Sequence, residues 1–487
     1  MCYPVHWRLF TLKYTPPQSL PVFAPAPGPS SAISPASLSS MNPEWESAVH
    51  NPMRKMGFHF GLVFVFLRFS LVHESFALLT GLNLNIALLA GGFAIALLLA
   101  ANGIPRALQG RPARFWLAFL VFFALSVPFS SWRSESLTML ISYLRGDFPL
   151  LFILGGMALT WKECRTVLAC LAASGIIVIL SENMFGHIEQ SGRMTMGGGT
   201  IGNSNDYAAH LLLLLPFILW VVLTPSAWIL KAIGIVFSVY GVYVDLKTGS
   251  RGALVALIAG CVLILLKGPG KVRWILGLGA PIVLTLLLGA LSQSMMDRYS
   301  SILGSKGKTT VGEGAGGATS SSEAREYLLT TSLEISLHYP IFGIGAGDFS
   351  SYEGGTSFAR RGIRGQWQET HNSYTQISSE LGIPAAICYI GAIWTTFTVL
   401  WRIMKTARRN QLPAFVSAAF CIALALATIC TAMFFLSLGY RFYLPALSGL
   451  TIAIERAMNM EFLSPFAASS GAPESSAGQP FIRYTPS

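Results

Sequence analysis

Apolar residues run through this chain in long blocks separated by short polar or basic intervals. Twelve blocks are long enough to be membrane-crossing helices, which take ~20 mostly apolar residues. They fall near 57–79, 85–103, 113–131, 137–159, 165–183, 205–223, 226–244, 250–267, 272–292, 372–401, 412–434 and 437–455. Hydrocarbon offers no partner to an open backbone, so the pattern predicts an all-α fold, a polytopic transmembrane helix bundle of about 12 spans. Arg145 and Asp147 interrupt the fourth block, and Arg441 the twelfth.

The longest polar interval, 293–371, follows the ninth block. Its stretch from Gly304 to Ser322 is rich in Gly, Ser and Thr and reads as flexible. Ser320 precedes Glu323 in the spacing of a capping box, which predicts a helix over about 321–338, stopped by Pro340, Gly343, Gly345 and Gly347. The expected organisation is a disordered Pro/Ser-rich arm at 1–52, transmembrane helices 1–9 within 53–292, one large loop with short helices at 293–371, transmembrane helices 10–12 within 372–461, and a disordered tail at 462–487. The arm lacks the shape of a secretory signal, and Met41 and Met53 stand as alternative starts.

Composition agrees with the blocks: 53% of residues are hydrophobic and 11% charged, against about 25% charged in soluble domains. The net charge of +11 is scattered between blocks rather than gathered into a basic domain, which argues against a nucleic-acid partner. Its larger clusters are Arg54 and Lys55; Arg106, Arg111 and Arg114; Lys162 and Arg165; Lys267, Lys271 and Arg273; and Arg402, Lys405, Arg408 and Arg409. These occupy alternate intervals, so the positive-inside rule puts both chain ends in the cytoplasm and 293–371 on the opposite, periplasm-equivalent side. The seven cysteines show neither zinc-ligand spacing nor a disulfide framework.

With that orientation, polar groups from five segments meet the outer side. They are Arg145 and Asp147; the run Met196–Asp206 with Asn203, Asn205 and Asp206; the run Asp245–Gly252 with Lys247 and Arg251; Arg325; and His371 with Asn372. Ser373, Gln376 and Glu380 then follow on one helical stripe, which must face protein or a cavity if the helix enters lipid. Each has an ordinary reading. Asn203, Asn205 and Asp206 suit a helix cap, Lys247 a solvated loop, Arg251 a side chain reaching headgroups, and Arg325 a plain surface. Their concentration on one side favours a site. Guanidinium forks grip phosphate oxygens in pairs, and an imidazole can take a proton from a hydroxyl near neutral pH. No aspartate pair with metal-ligand spacing stands out, so neither metal nor cofactor is expected. Sugar transfer from a lipid-linked diphosphate fits these groups. Transport of an anionic solute would also use arginines in a bundle, but should carry internal repeats and charges on both sides, and a scaffold would leave the arginines without a use.

Four segments, in order, carry a resemblance: Gly202-Asn203-Ser204-Asn205; Thr248-Gly249-Ser250-Arg251-Gly252-Ala253; Arg325 followed by Pro340-Ile341-Phe342-Gly343-Ile344-Gly345; and His371-Asn372 with Glu380-Leu381-Gly382. Over about 57–455 the chain resembles the O-antigen ligase and O-antigen polymerase family of bacterial inner-membrane proteins. The resemblance implies a large periplasmic loop and metal-independent, inverting transfer of glycan from undecaprenyl diphosphate to a hydroxyl acceptor. It implies that Arg251 and Arg325 hold the diphosphate and that His371 is the base; Arg145, on the same side, is added as a third cation from its placement. Asn203, Asn205, Asp206, Lys247, Asn372, Gln376 and Glu380 would support them. The acceptor would be lipid A core in a ligase, a second lipid-linked repeat in a polymerase, or a protein in a protein-directed relative; these motifs do not separate the three. Pro384-Ala385 and the Pro-rich arm depart from the family pattern, away from the site.

Overall fold

The computed structural model describes residues 43–189, 192–196, 201, 203–270, 272–300, 313–362 and 365–463. The expected arm up to residue 42, most of the tail, residues 197–200 and 202 of the glycine-rich run, and the Gly/Ser-rich stretch up to 312 lie outside the described residues. The chain is a mostly helical, multi-pass membrane protein.

Helices α1 to α5 span Pro43–His50, Pro52–Ser70, Val72–Thr80, Ile86–Ala100 and Gly103–Leu108; α6 to α10 span Arg111–Ser126, Arg133–Gly146, Pro149–Met157, Trp161–Phe185 and Ser204–Leu223. Then α11 to α15 span Trp228–Lys247, Arg251–Lys267, Val272–Gly289, Gln293–Ser300 and Glu313–His338, and α16 to α20 span Phe349–Arg361, Ser373–Leu381, Ile383–Arg409, Pro413–Ala432 and Tyr443–Ala457. A small antiparallel hairpin, β1 Gly186–Ile188 with β2 Met194–Met196, follows α9.

Seven helical stretches are long and apolar enough to cross a membrane, or eight if the bent pair α2–α3 is one span. Helices α4, α12, α13 and α20 fall short of that length, although each occupies a block read from the sequence as a span. Inside the bundle, α10 and α19 are the most enclosed, packing on each other and on α9, α11, α12 and α18.

The structure departs from the sequence reading at several points. Pro43–His50 is helical, within the segment expected to be a disordered arm. The loop helix α15 starts at Glu313, so Ser320 lies inside it and not at its N-cap. Arg54, read as a loop cation, is buried; its guanidinium donates to Glu163 Oε1 at 2.7 Å and to the Met157 and Val49 carbonyl oxygens at 2.8 Å. Arg441 falls in the connection before α20 and interrupts no helix. The tenth block is two helices, because Gly382 has φ +89° and a Cβ there would strike the Ile341 carbonyl. The polar stripe therefore sits on the short α17, and the long apolar helix α18 begins after it.

Candidate functional site

The turn joining α11 to α12 is the first part of the site. Gly249 takes φ +62°, a left-handed conformation that favours glycine. Ser250 then caps α12 by accepting from Ala253 N–H at 3.4 Å, which puts Arg251 on the first turn. Three side chains hold the carbonyls of this turn. Arg193, in the hairpin, donates Nε–H to Thr248 O at 2.9 Å; Arg298 of α14 donates Nε–H to Gly249 O at 2.8 Å; Tyr299 donates its hydroxyl to Leu246 O at 2.8 Å. Arg193 also donates to Asn205 Oδ1 at 2.7 Å, which ties the hairpin to the start of α10.

The second part is the approach to α17. His371 has φ +51°, unusual for a residue with a side chain and costing roughly 1–3 kcal/mol. Its backbone is pinned on both sides. Its N–H donates to Ser437 Oγ at 2.9 Å, and Asn372 caps α17 by accepting from the Tyr374 and Thr375 N–H groups. The Ser373 hydroxyl donates to Leu436 O at 2.6 Å and accepts from Leu438 N–H at 2.8 Å.

These parts enclose a cavity of about 320 Å³ lined by Arg193, Asn205, Arg298, Arg325, Gln368 and His371. Arg251 stands close enough for its charge to act on Arg298 and Arg325. Burial and neighbouring cations lower the pKa of the arginines outside the spans: Arg193 to about 10, through burial and the charge of Arg298, and Arg298 and Arg325 below the ordinary value, through burial and the charge of Arg251. Glu189 is a carboxylate whose field reaches Arg193 and Arg298. Burial first, and the Arg325 charge second, push the His371 imidazole below its ordinary 6.5. It is therefore neutral at pH 7, the form that accepts a proton.

The other residues singled out from the sequence sit elsewhere. Arg145 lines a separate cavity of about 580 Å³ with Arg68, His73, Glu74, Asp147 and Arg441, where Arg68 is paired with Asp147 at 2.7 Å. The structure does not bring Arg145 to His371. Lys247 is paired with Glu182 at 2.6 Å. Asn203 caps α10 and its amide donates to Asp206 Oδ2 at 3.0 Å, the ordinary capping arrangement. Asn205 alone of that group lines the cavity. Gln376 accepts from Gly439 N–H at 3.1 Å. Glu380 is buried and accepts from Tyr440 OH at 2.6 Å and from Gly347 N–H at 2.9 Å. Both face neighbouring loops instead of the cavity.

Arg193, Arg298 and Gln368 are cavity residues that the sequence reading passed over. Nothing local separates Arg193 or Arg298 from the rest of the 33 Lys and Arg residues; only the fold brings them to Thr248 and Gly249. Among the described residues no group of three or more His, Cys, Asp or Glu side chains is placed to hold a metal ion.

No curated protein matches the chain. A family model described as O-Antigen ligase matches residues 233–390, a stretch that contains Arg251, Arg298, Arg325 and His371 and leaves Arg193 and Asn205 before it. Over that stretch, which holds Arg298, Arg325, Gln368 and His371 of the cavity lining, the chain is similar to the O-antigen ligase family.

Proposed function

We propose that this protein is a membrane glycosyltransferase that moves a glycan from undecaprenyl diphosphate to a hydroxyl of lipid A core, at the periplasmic face of the bacterial inner membrane. The bundle would then cross about 12 times, with the shorter α4, α12, α13 and α20 among the spans. The observation that carries the reading is that Arg325 and His371, 46 positions apart on either side of α16, line one cavity with Arg193 and Arg298.

In this reading the acceptor oxygen attacks the anomeric carbon from the face opposite the diphosphate, so configuration inverts. The new carbon–oxygen bond forms as the bond to the diphosphate breaks, and the electron pair leaves on the diphosphate. His371 takes the acceptor's proton. Arg251 and Arg325 grip the leaving diphosphate, with Arg193 and Arg298 adding charge and holding the turn that presents Arg251. Preorganised cations aimed at developing charge are worth several kcal/mol in a site shielded from water. They would supply the neutralisation without a metal ion. Arg145 takes no part, since it lines the other cavity.

The test is deletion of the gene and a gel of the surface glycans. Loss of all long chains from the lipid A core, with lipid-linked polymer accumulating, is the expected result. A core carrying a single repeat would make the protein a polymerase, and unchanged lipopolysaccharide would overturn the reading.

A further inference from the structure

Three helices that start or end at the arginine cavity or at the crevice adjoining it also bound a second, apolar space deeper in the bundle. Asn205 of α10 and Arg325 line the main cavity and also a narrow crevice beneath it, together with Ala209 of α10, Ala253 of α12 and Ala432 of α19. One helical turn further along each helix stand Leu212, Leu257 and Thr428, and all three line a groove of about 360 Å³. The three spaces thus follow one another along α10, α12 and α19, and the groove continues to Leu219 of α10, about 15 Å below Ala209 at the helical rise.

The groove is closed by α11 and α13 and carries no charged side chain. Thr428 presents no free hydroxyl to it, since that group donates to the Leu212 and Leu424 carbonyl oxygens at 3.1 Å. Ile235 and Ile275 line it and are exposed, so it opens sideways through the bundle surface. A void this size inside packed helices forfeits contacts unless hydrocarbon fills it. Its polar end leads to guanidinium groups, so the occupant needs an anionic head and a long apolar tail.

We propose that the groove between α10, α11, α12 and α13, floored by α19, holds the isoprenoid chain of the lipid-linked donor while the arginine cavity holds its diphosphate. This rests on the donor reading above and adds where the chain lies. A long chain is then recognised as well as the head, and a short prenyl diphosphate is a poor donor.

Gly279 of α13 lines the groove, and a Cβ there would meet nothing within 4 Å, so G279W places an indole in the void without displacing the packed core. Gly92 of α4 is exposed with equally open space, and G92W is the control. The probe is undecaprenyl diphosphate with a photoreactive group on its chain, in nanodiscs of phosphatidylethanolamine and phosphatidylglycerol. Labelling is expected on peptides of α10, α12 and α13, falling at least tenfold in G279W and unchanged in G92W. In wild type, unlabelled undecaprenyl diphosphate should compete at least tenfold better than farnesyl diphosphate; in G279W the two should compete alike. Labels on helices other than α10, α11, α12, α13 and α19, unchanged chain-length preference in G279W, or equal competition by added phosphatidylglycerol would overturn the assignment, the last making the groove a slot for bulk lipid. Failure of the donor reading has a different signature. An R251A/R325A protein that still lets inorganic pyrophosphate compete as wild type does would remove the arginine clamp, while label retained in the groove would still support the chain site.

Discussion

Arg298 donates its Nε–H to the carbonyl oxygen of Gly249 across 2.8 Å, so a residue of the loop helix α14 grips the turn that presents Arg251. The turn depends on Gly249 being glycine. Its φ is +62°, and a Cβ there would lie 3.1 Å from Arg298 Cδ and from Met295 Sδ. Replacing it by Ala should cost about 1–2 kcal/mol of backbone strain and push Arg298 away. G249A is expected to insert and accumulate while glycan transfer falls more than tenfold, measured as lipopolysaccharide laddering in a deletion strain. Wild-type laddering at equal protein level would show that the geometry of this turn does not matter to transfer.

The arginines separate by cavity. R325A is expected to abolish transfer, and R325K to restore only part of it, because an ammonium lacks the guanidinium fork. R145A is expected to keep most of the wild-type transfer, since Arg145 lines the cavity built around Arg68 and Asp147. The measurement is the same ladder at matched expression. Loss of transfer in R145A together with R325A would mean that the two cavities act on one substrate.

Arg251, Arg325 and His371 were singled out in the sequence from their local motifs, and the basic intervals supplied a common side; the fold then puts Arg325 and His371 on one cavity with Arg251 near it. Arg193 and Arg298 were not, because their bonds to Thr248 and Gly249 cross 55 and 49 positions and leave no spacing to read. The helical class was legible from apolar blocks alone. The break at Gly382 was not, since Glu380-Leu381-Gly382 sits within a continuous run until the collision with Ile341 is seen. Arg145 shows the opposite error. A charge in an apolar block marks a polar environment, but a block pattern cannot say which of two cavities supplies it.

Glu380 distinguishes support from chemistry. Tyr440 OH and the Gly347 amide both converge on its carboxylate, tying the loop before α20 and the loop after α15 to α17. Removing it leaves buried donors without an acceptor, at about 1–3 kcal/mol each. E380A should therefore lower the thermal midpoint of the purified protein, and transfer should fall in step with the folded fraction. E380Q retains one acceptor oxygen and should recover part of both. H371Q should instead abolish transfer with the midpoint nearly unchanged. An E380A protein of wild-type stability but without transfer would give Glu380 a direct part in the reaction.

The pH response of transfer follows from the surroundings of His371. Burial and the Arg325 charge hold its pKa below 6.5 in the folded protein, so the folded state prefers the neutral ring. As pH falls below 6.5, the unfolded chain takes up this proton before the folded one does, and the contribution to stability declines through that window. Activity follows the same direction, because only the neutral ring can accept the acceptor's proton. Transfer by purified protein should be flat near pH 7 and fall along an acid limb whose midpoint lies below 6.5. Replacing Arg325 by Gln removes a cation and should move the imidazole titration upward, towards 6.5, in an NMR titration of labelled histidine. A titration that stays in place would mean that Arg325 and His371 do not sense each other across the cavity. An acid limb with its midpoint above 6.5 would point to a different group as the base.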